Sequence, residues 1–416
     1  MSFESAVFSI EARPDSISAP SSIHKSGRYQ SLDALRGIAA MVVVVQHSMM
    51  TLPAWSDVVL HGVHRSIFAV ILGSPPLDVL WAGDAAVKVF FALSGFVLAL
   101  MFLRPDPPSY MAFAVKRVCR IYIPYIVVVA IAMLIMTVAE SSRKPELSEW
   151  FRSSWNHGVT WSLVLDHVLM LGQQKYNFVD NPIWSLVHEM RYSLVFPLVM
   201  WAVIRAKWWP LVASSLLASV AAMGALKHVN SNWAVDSLQY AFLFVTGATL
   251  AKYRVEVAQR FRNLPTTLRI AIGATSVVLL SAHGLAHAGI ALVRAFAFVA
   301  PHIGAVLLLM SVIGSAWAQE ALERQPCLWI GRVSYSLYLS HVVLLLTLVA
   351  VLHRRVSIYA ILFALPALAL GLAGVLHRWL EQPAIDLGRR LGNGIERTKR
   401  PLDHRDVPGA YSVQAS

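Results

Sequence analysis

The sequence predicts an all-α, polytopic integral membrane helical bundle of about ten transmembrane helices, and three observations predict it. Of 416 residues, 57% are hydrophobic and only 14% are charged, whereas an ordinary soluble domain carries about 25% charged residues. The apolar residues gather into windows, several of about 17 to 20 residues, the length that crosses a hydrocarbon core. Lys and Arg fall unevenly on alternate connecting segments, as they do when one set of loops faces the cytoplasm.

The windows lie near 34–52, 85–103, 121–139, 186–204, 209–226, 236–252, 268–288, 296–316, 333–352 and 357–377. The first thirty residues are polar, with Ser, Pro, Lys25 and Arg28, and read as a disordered cytoplasmic tail. No small-residue cleavage site accompanies the first window, so it is expected to stay as an anchor. Residues 159–172 are too short to span and read as an interfacial or re-entrant helix. The stretch from His283 to Pro301 reads as a turn or an irregular continuation. The expected organisation is therefore a tail over 1–30, a transmembrane domain over 31–383 and a charged cytoplasmic tail over 384–416.

With the N-terminus inside, Lys and Arg divide about 23 to 9 in favour of the cytoplasmic segments, which places both termini in the cytoplasm. The net charge of +12 is then mostly a topology signal, and no nucleic-acid partner is needed to explain it. Cys119 and Cys327 both fall on the cytoplasmic side, where no disulfide is expected; both read as packing residues.

Ionisable residues inside the windows carry the functional signal, because each costs several kcal/mol in a membrane, about 2.5 or more. Arg36 and His47 share the first window, eleven positions apart. At about 100° and 1.5 Å per residue they return to nearly one face, roughly 16 Å apart along the axis. Taken singly, Arg36 also fits a residue snorkelling to headgroups, and His47 a buried neutral imidazole. Together they present a fixed cation near one surface and a base deeper in, which suits a long anionic thioester carrier. Histidine needs little tuning to act as a general base.

Other windows add polar groups. In the second, Asp84 and Lys88 form a potential pair, and Ser94-Gly95 permits close helix packing. Lys116, Arg117 and Arg120 precede the third; they serve as positive-inside anchors or hold phosphates. The fourth opens on Asn181-Pro182, and His188, Glu189 and Arg191 follow within an apolar run. A helix running inward from the surface would bring Glu189 to the depth of His47, where it could orient the imidazole. A buried pair of Glu189 with Arg191 or Lys88 is the structural alternative. Gly331 to His341 supplies a row of hydroxyls ending in a histidine, lining a polar pore or bonding across helices. His377 to Pro383 reads as an interfacial anchor. The pairs His61/His64 and His283/His287 have metal-compatible spacing without nearby carboxylate or cysteine partners, so no metal is expected.

Several of these strings together resemble the membrane-bound acyltransferase 3 family, bacterial O-acyltransferases of surface glycans. They are Leu32-Asp33-Ala-Leu-Arg36-Gly37, the Arg36/His47 pair, Phe90-Phe91-Ala-Leu-Ser94-Gly95-Phe96 and Arg117-Val-Cys-Arg120-Ile-Tyr-Ile-Pro124. Trp184-Ser185-Leu-Val-His-Glu189, Gly331 to His341 and Glu381-Gln-Pro383 complete the set, in order, across nearly the whole membrane part. His188-Glu189-Met-Arg191 is more charged than the plain family pattern. The resemblance implies ten spans in a bacterial inner membrane and no permanently bound cofactor. It implies an acyl-CoA donor, with acetyl-CoA the expected form, and a hydroxyl acceptor on a glycan or lipid-linked saccharide. Some family members carry an esterase-like C-terminal domain; the short tail here does not lead one to expect it.

The resulting expectation assigns His47, Arg36 and Glu189 to catalysis, and Arg36, Lys116, Arg117 and Arg120 to the donor phosphates. His47 would serve as general base on the acceptor hydroxyl or as an acyl relay. The rival from another class is a transporter or exporter of an acylated or anionic metabolite. No convincing internal repeat supports it, although transporters commonly show one.

Overall fold

The computed structural model describes residues 29–64, 67–139, 144–170, 176–225, 233–287 and 289–399. Every regular element among them is helical, and the chain is an all-α polytopic membrane bundle. The expected tail over residues 1–30 lies almost wholly outside the described residues. Each apolar window becomes a helix: α1 (Gln30–Met50), α2 (Gly83–Phe102), α3 (Tyr110–Val138), α4 (Ile183–Arg205), α5 (Trp208–Ala225), α6 (Ala241–Lys252), α7 (Thr266–Leu280), α8 (Ala291–Gly314), α9 (Gln325–Leu352) and α10 (Ile358–Leu376).

Among the described residues, eight helices are long and apolar enough to cross a membrane. The two windows that fall short do so for local reasons. The polar turn at His188–Arg191 interrupts the apolar run of α4. The sixth window splits into a short helix, Trp233–Leu238, and the 12-residue α6. At that break the Ser237 carbonyl accepts from the Tyr240 amide at 3.1 Å and also from the Tyr192 hydroxyl at 2.9 Å. The region after α7 is a 3₁₀ segment, Ser281–His287. Pro301, in contrast, sits inside a continuous α8. The short segment near 159–172 is an eight-residue helix, Trp161–Val168, whose Thr160 hydroxyl caps the amide of Leu163.

Small residues set the closest helix contacts, as expected where lipid removes the hydrophobic drive and association rests on van der Waals fit. A Cβ on Gly37 would lie 2.5 Å from the Gly331 amide nitrogen, and one on Gly331 would lie 2.5 Å from the Asp33 carbonyl. These two glycines let α1 and α9 touch backbone to backbone. Between α2 and α6 the same holds for Gly95 against Phe244 and Gly247 against Ala92.

The expected C-terminal tail is helical in its first part, up to Lys399. After a π turn over His377–Glu381, residues Gln382–Lys399 form α11. Ala384, Gly388 and Gly392 recur every four residues and are buried, with Gly388 against Cys119 and Gly392 against Lys116 of α3. Glu396 accepts from the Ser109 amide at 2.7 Å. The sequence pattern missed this helix because its buried stripe is made of small residues, not of large apolar ones.

Candidate active site

A small cavity of about 40 Å³ lies among α1, α2, α3, α4 and α9. Its charged walls are Arg36, Arg120 and Glu189; Phe90, Phe91 and Ile121 supply apolar surface, and Ser94, Ser185, Tyr335 and Tyr338 supply hydroxyls. Arg36 is held loosely by Asp33 one turn earlier, at 4.0 Å. Arg36 and Arg120 come from different helices, so only the fold makes them one cationic patch.

Glu189 is not at His47. Its carboxylate accepts from Arg117 at 2.9 Å, and Ser94 donates to the same oxygen at 3.3 Å. The Arg117 guanidinium also donates to the Ser193 hydroxyl, 3.2 Å from Nε and 3.1 Å from Nη2. The expected role of Glu189 as orienter of His47 is therefore corrected, and so is that of Arg117 as an open phosphate ligand. The reason lies in where α4 begins. Tyr338, mid-way along α9, donates to the Pro182 carbonyl at 3.3 Å, so the first turn of α4 already lies inside the bundle. Glu189 then falls farther on, level with Ser94 and Arg117.

His47 sits in the last turn of α1 and is buried. Its Nδ1 lies 2.8 Å from Nε2 of His341 on α9, and both residues are buried. Their planes differ by 19° with centroids 5.1 Å apart. With so short an N···N distance, the rings lie edge to edge in an in-plane hydrogen bond, not face to face. His341 Nδ1 donates to the Leu337 carbonyl at 3.1 Å. Trp150 covers one face of His47, nearly parallel at 7° and 5.1 Å, and the Asn181 side chain hydrogen-bonds the same imidazole. Trp150, Asn181 and His341 were not singled out for this role by sequence, since two come from connecting segments and the third from a row of similar hydroxyl-bearing residues.

Arg36 lines the cavity and His47 does not. Tyr338 and Ser185, both on the cavity wall, hydrogen-bond each other at 2.7 Å. The Tyr338 ring also lies 6.0 Å from that of His341. Arg36 and His47, expected to act together from one helix, therefore have different surroundings, the cavity for Arg36 and packed side chains for His47.

Other expected groups are occupied elsewhere. Lys116 donates to Asn393 of α11 at 2.9 Å, away from the cavity. Lys88 pairs with Asp84. His188 and Arg191 both reach Ser237, at 3.1 Å each. Glu381 is buried, accepting from Ser336 at 2.7 Å and facing His377 at 3.0 Å, which makes that motif an interhelical tie. His287 meets the Val59 carbonyl and His64 the Gly62 carbonyl.

Asp180 precedes α4 and is almost fully buried, with no hydrogen bond to either carboxylate oxygen. Burial raises its pKa well above the usual carboxylate range, because the charged form has lost its water.

The acyltransferase domain family matches residues 29–376. Nodulation protein 10 of Rhizobium leguminosarum bv. viciae is 26% identical over 397 residues, covering 88% of this chain and 96% of that protein. Acyltransferase MdmB of Streptomyces mycarofaciens is 29% identical over 187 residues, 44% of this chain and 43% of its own. No solved structure matches. The family decides between an enzyme and an exporter: this chain belongs to the acyltransferase 3 family and is a membrane acyltransferase.

Proposed function

We propose that the chain is a bacterial inner-membrane O-acyltransferase, with both termini cytoplasmic, moving an acyl group from acyl-CoA to a hydroxyl of a cell-surface or exported glycan. Acetyl-CoA is the expected donor. The observation that carries this reading is the cavity itself. It presents Arg36 and Arg120 as a cationic wall and ends on Tyr338, one helical turn from the His47–His341 pair.

In this reading Arg36 and Arg120 hold the donor phosphates, since a guanidinium fork matches phosphate oxygens. The thioester arm extends along the apolar walls and reaches the histidines past Tyr338 and Ser185. His47 removes the proton of the acceptor hydroxyl as its oxygen attacks the thioester carbonyl carbon. The carbon–sulfur bond then breaks, and the departing thiolate takes that proton back. Positioned general bases contribute about 10²- to 10⁴-fold. Lys116, tied to α11, and Arg117, tied to Glu189, contribute to the local positive potential.

The test is transfer of label from radioactive acetyl-CoA to cell-envelope glycan by the purified protein, with His47→Ala beside wild type. Transfer by wild type and its loss in the variant support the reading. Full transfer by His47→Ala removes the base, and absence of any acylated glycan with wild type removes the substrate pair. Mass spectrometry of surface glycans from cells with and without the protein identifies the acyl unit.

A further inference from the structure

The nitrogen that His47 presents to substrate is decided by a chain of hydrogen bonds that starts on the backbone of α9. A carbonyl oxygen only accepts, so the His341 nitrogen facing Leu337 O, Nδ1 at 3.1 Å, carries a hydrogen. In a neutral imidazole the other nitrogen is then an acceptor. That nitrogen, Nε2 of His341, is the one 2.8 Å from Nδ1 of His47, so His47 Nδ1 must donate. The lone pair of His47 is left on Nε2.

We propose that His341 is the positioning residue of this enzyme, holding His47 as the Nδ1-protonated tautomer and keeping Nε2 free to take the acceptor proton. This deepens the reading of His47 as general base and rests on it. His341 here does what a buried carboxylate does for histidine in hydrolytic triads: it fixes the ring and its tautomer. A neutral partner suits a site where both histidines are buried and an unpaired charge would be costly. When His47 becomes an imidazolium, its Nδ1 hydrogen stays shared with His341 Nε2, which remains an acceptor for it. Trp150 and the edge-to-edge geometry keep the two rings from rotating apart.

Two substitutions of His341 separate this role from simple packing. In His341→Gln, the amide oxygen stands as many bonds from Cβ as Nε2 does, so it can still accept from His47 Nδ1. In His341→Asn, the amide reaches only the Nδ1 position; it can bond Leu337 but leaves His47 without an acceptor. Acyl transfer is measured for both, with His47→Ala and wild type, in protein whose thermal unfolding has been recorded. We expect His341→Asn to lose about 100-fold in kcat with the KM for acetyl-CoA unchanged, and His341→Gln to regain at least about tenfold of that.

Equal activity of His341→Asn and wild type would overturn the proposal, as would equal losses in the Asn and Gln variants when both unfold at the wild-type temperature. If the Gln variant fails to fold, the kcat-against-KM split of His341→Asn decides by itself: a raised KM with unchanged kcat sinks the proposal. The His47→Ala result stands apart. An inactive His47→Ala with a fully active His341→Asn keeps the base and discards its partner; an active His47→Ala discards the base itself.

Discussion

Gly37 and Gly331 meet backbone to backbone, and ten residues farther along their helices His47 meets His341. Both pairs are separated by the same 294 residues of sequence. The two helices run parallel in one register, and the glycine contact fixes how closely they approach where the imidazoles must bond.

Closing that contact with a methyl group has a direct cost. In Gly331→Ala the new Cβ lies 2.5 Å from the Asp33 carbonyl, so α1 and α9 must separate. Overpacking of this kind costs about 1–3 kcal/mol, and thermal unfolding in detergent should drop accordingly, together with the transfer rate. Gly371→Ala is the control, because nothing lies within 4 Å of its Cβ; its unfolding and activity should match wild type.

Glu189 is expected to act on stability before chemistry. Glu189→Gln leaves the Arg117 guanidinium buried beside a neutral partner, and breaking a buried pair costs about 3–5 kcal/mol. Replacing both Arg117 and Glu189 by Met should recover most of that loss. Calorimetry of the three variants checks it; a Glu189→Gln protein that unfolds like wild type while losing transfer would move Glu189 into the chemistry.

Arg36→Lys should weaken donor binding more than folding. A point charge cannot reproduce two parallel N–H bonds to a phosphate, whereas the Asp33 contact at 4.0 Å tolerates either cation. The KM for acetyl-CoA should rise about tenfold, equivalent to about 1.4 kcal/mol, with thermal unfolding unchanged. An unaltered KM would take the phosphates away from Arg36.

Asp180 gives stability a pH dependence of known sign. Its folded-state pKa lies above the unfolded value, so the folded state holds its proton more tightly than the unfolded chain. That contribution is complete below about pH 4 and is lost as pH rises through the raised value. Asp180→Asn, which cannot ionise, should lose less stability than wild type over the same rise. Parallel melting curves for the two proteins would refute this.

Much of the fold was legible in sequence because membrane helices are written in composition. All ten windows became helices, since a backbone in lipid must bond to itself along its own length. Legibility failed where tertiary partners replaced that rule. The sixth window breaks where Tyr192 serves Ser237, and α11 buries small residues that carry no hydrophobic signal. In the site, Arg36 and His47 stood out as charges in apolar runs. Asn181 and Trp150 did not, because polar and aromatic residues in connecting segments are ordinary until something packs on them.

Sequence by itself determined that the chain crosses a membrane many times, that it is an acyltransferase, and that Arg36 and His47 share a helix. Only the tertiary structure decided whom each ionisable group serves. Helical periodicity reports direction and spacing along one axis, whereas pairing depends on the depth at which separate helices start. Because α4 begins beside Tyr338 inside the bundle, Glu189 went to Arg117, and the imidazole of His47 was left to His341.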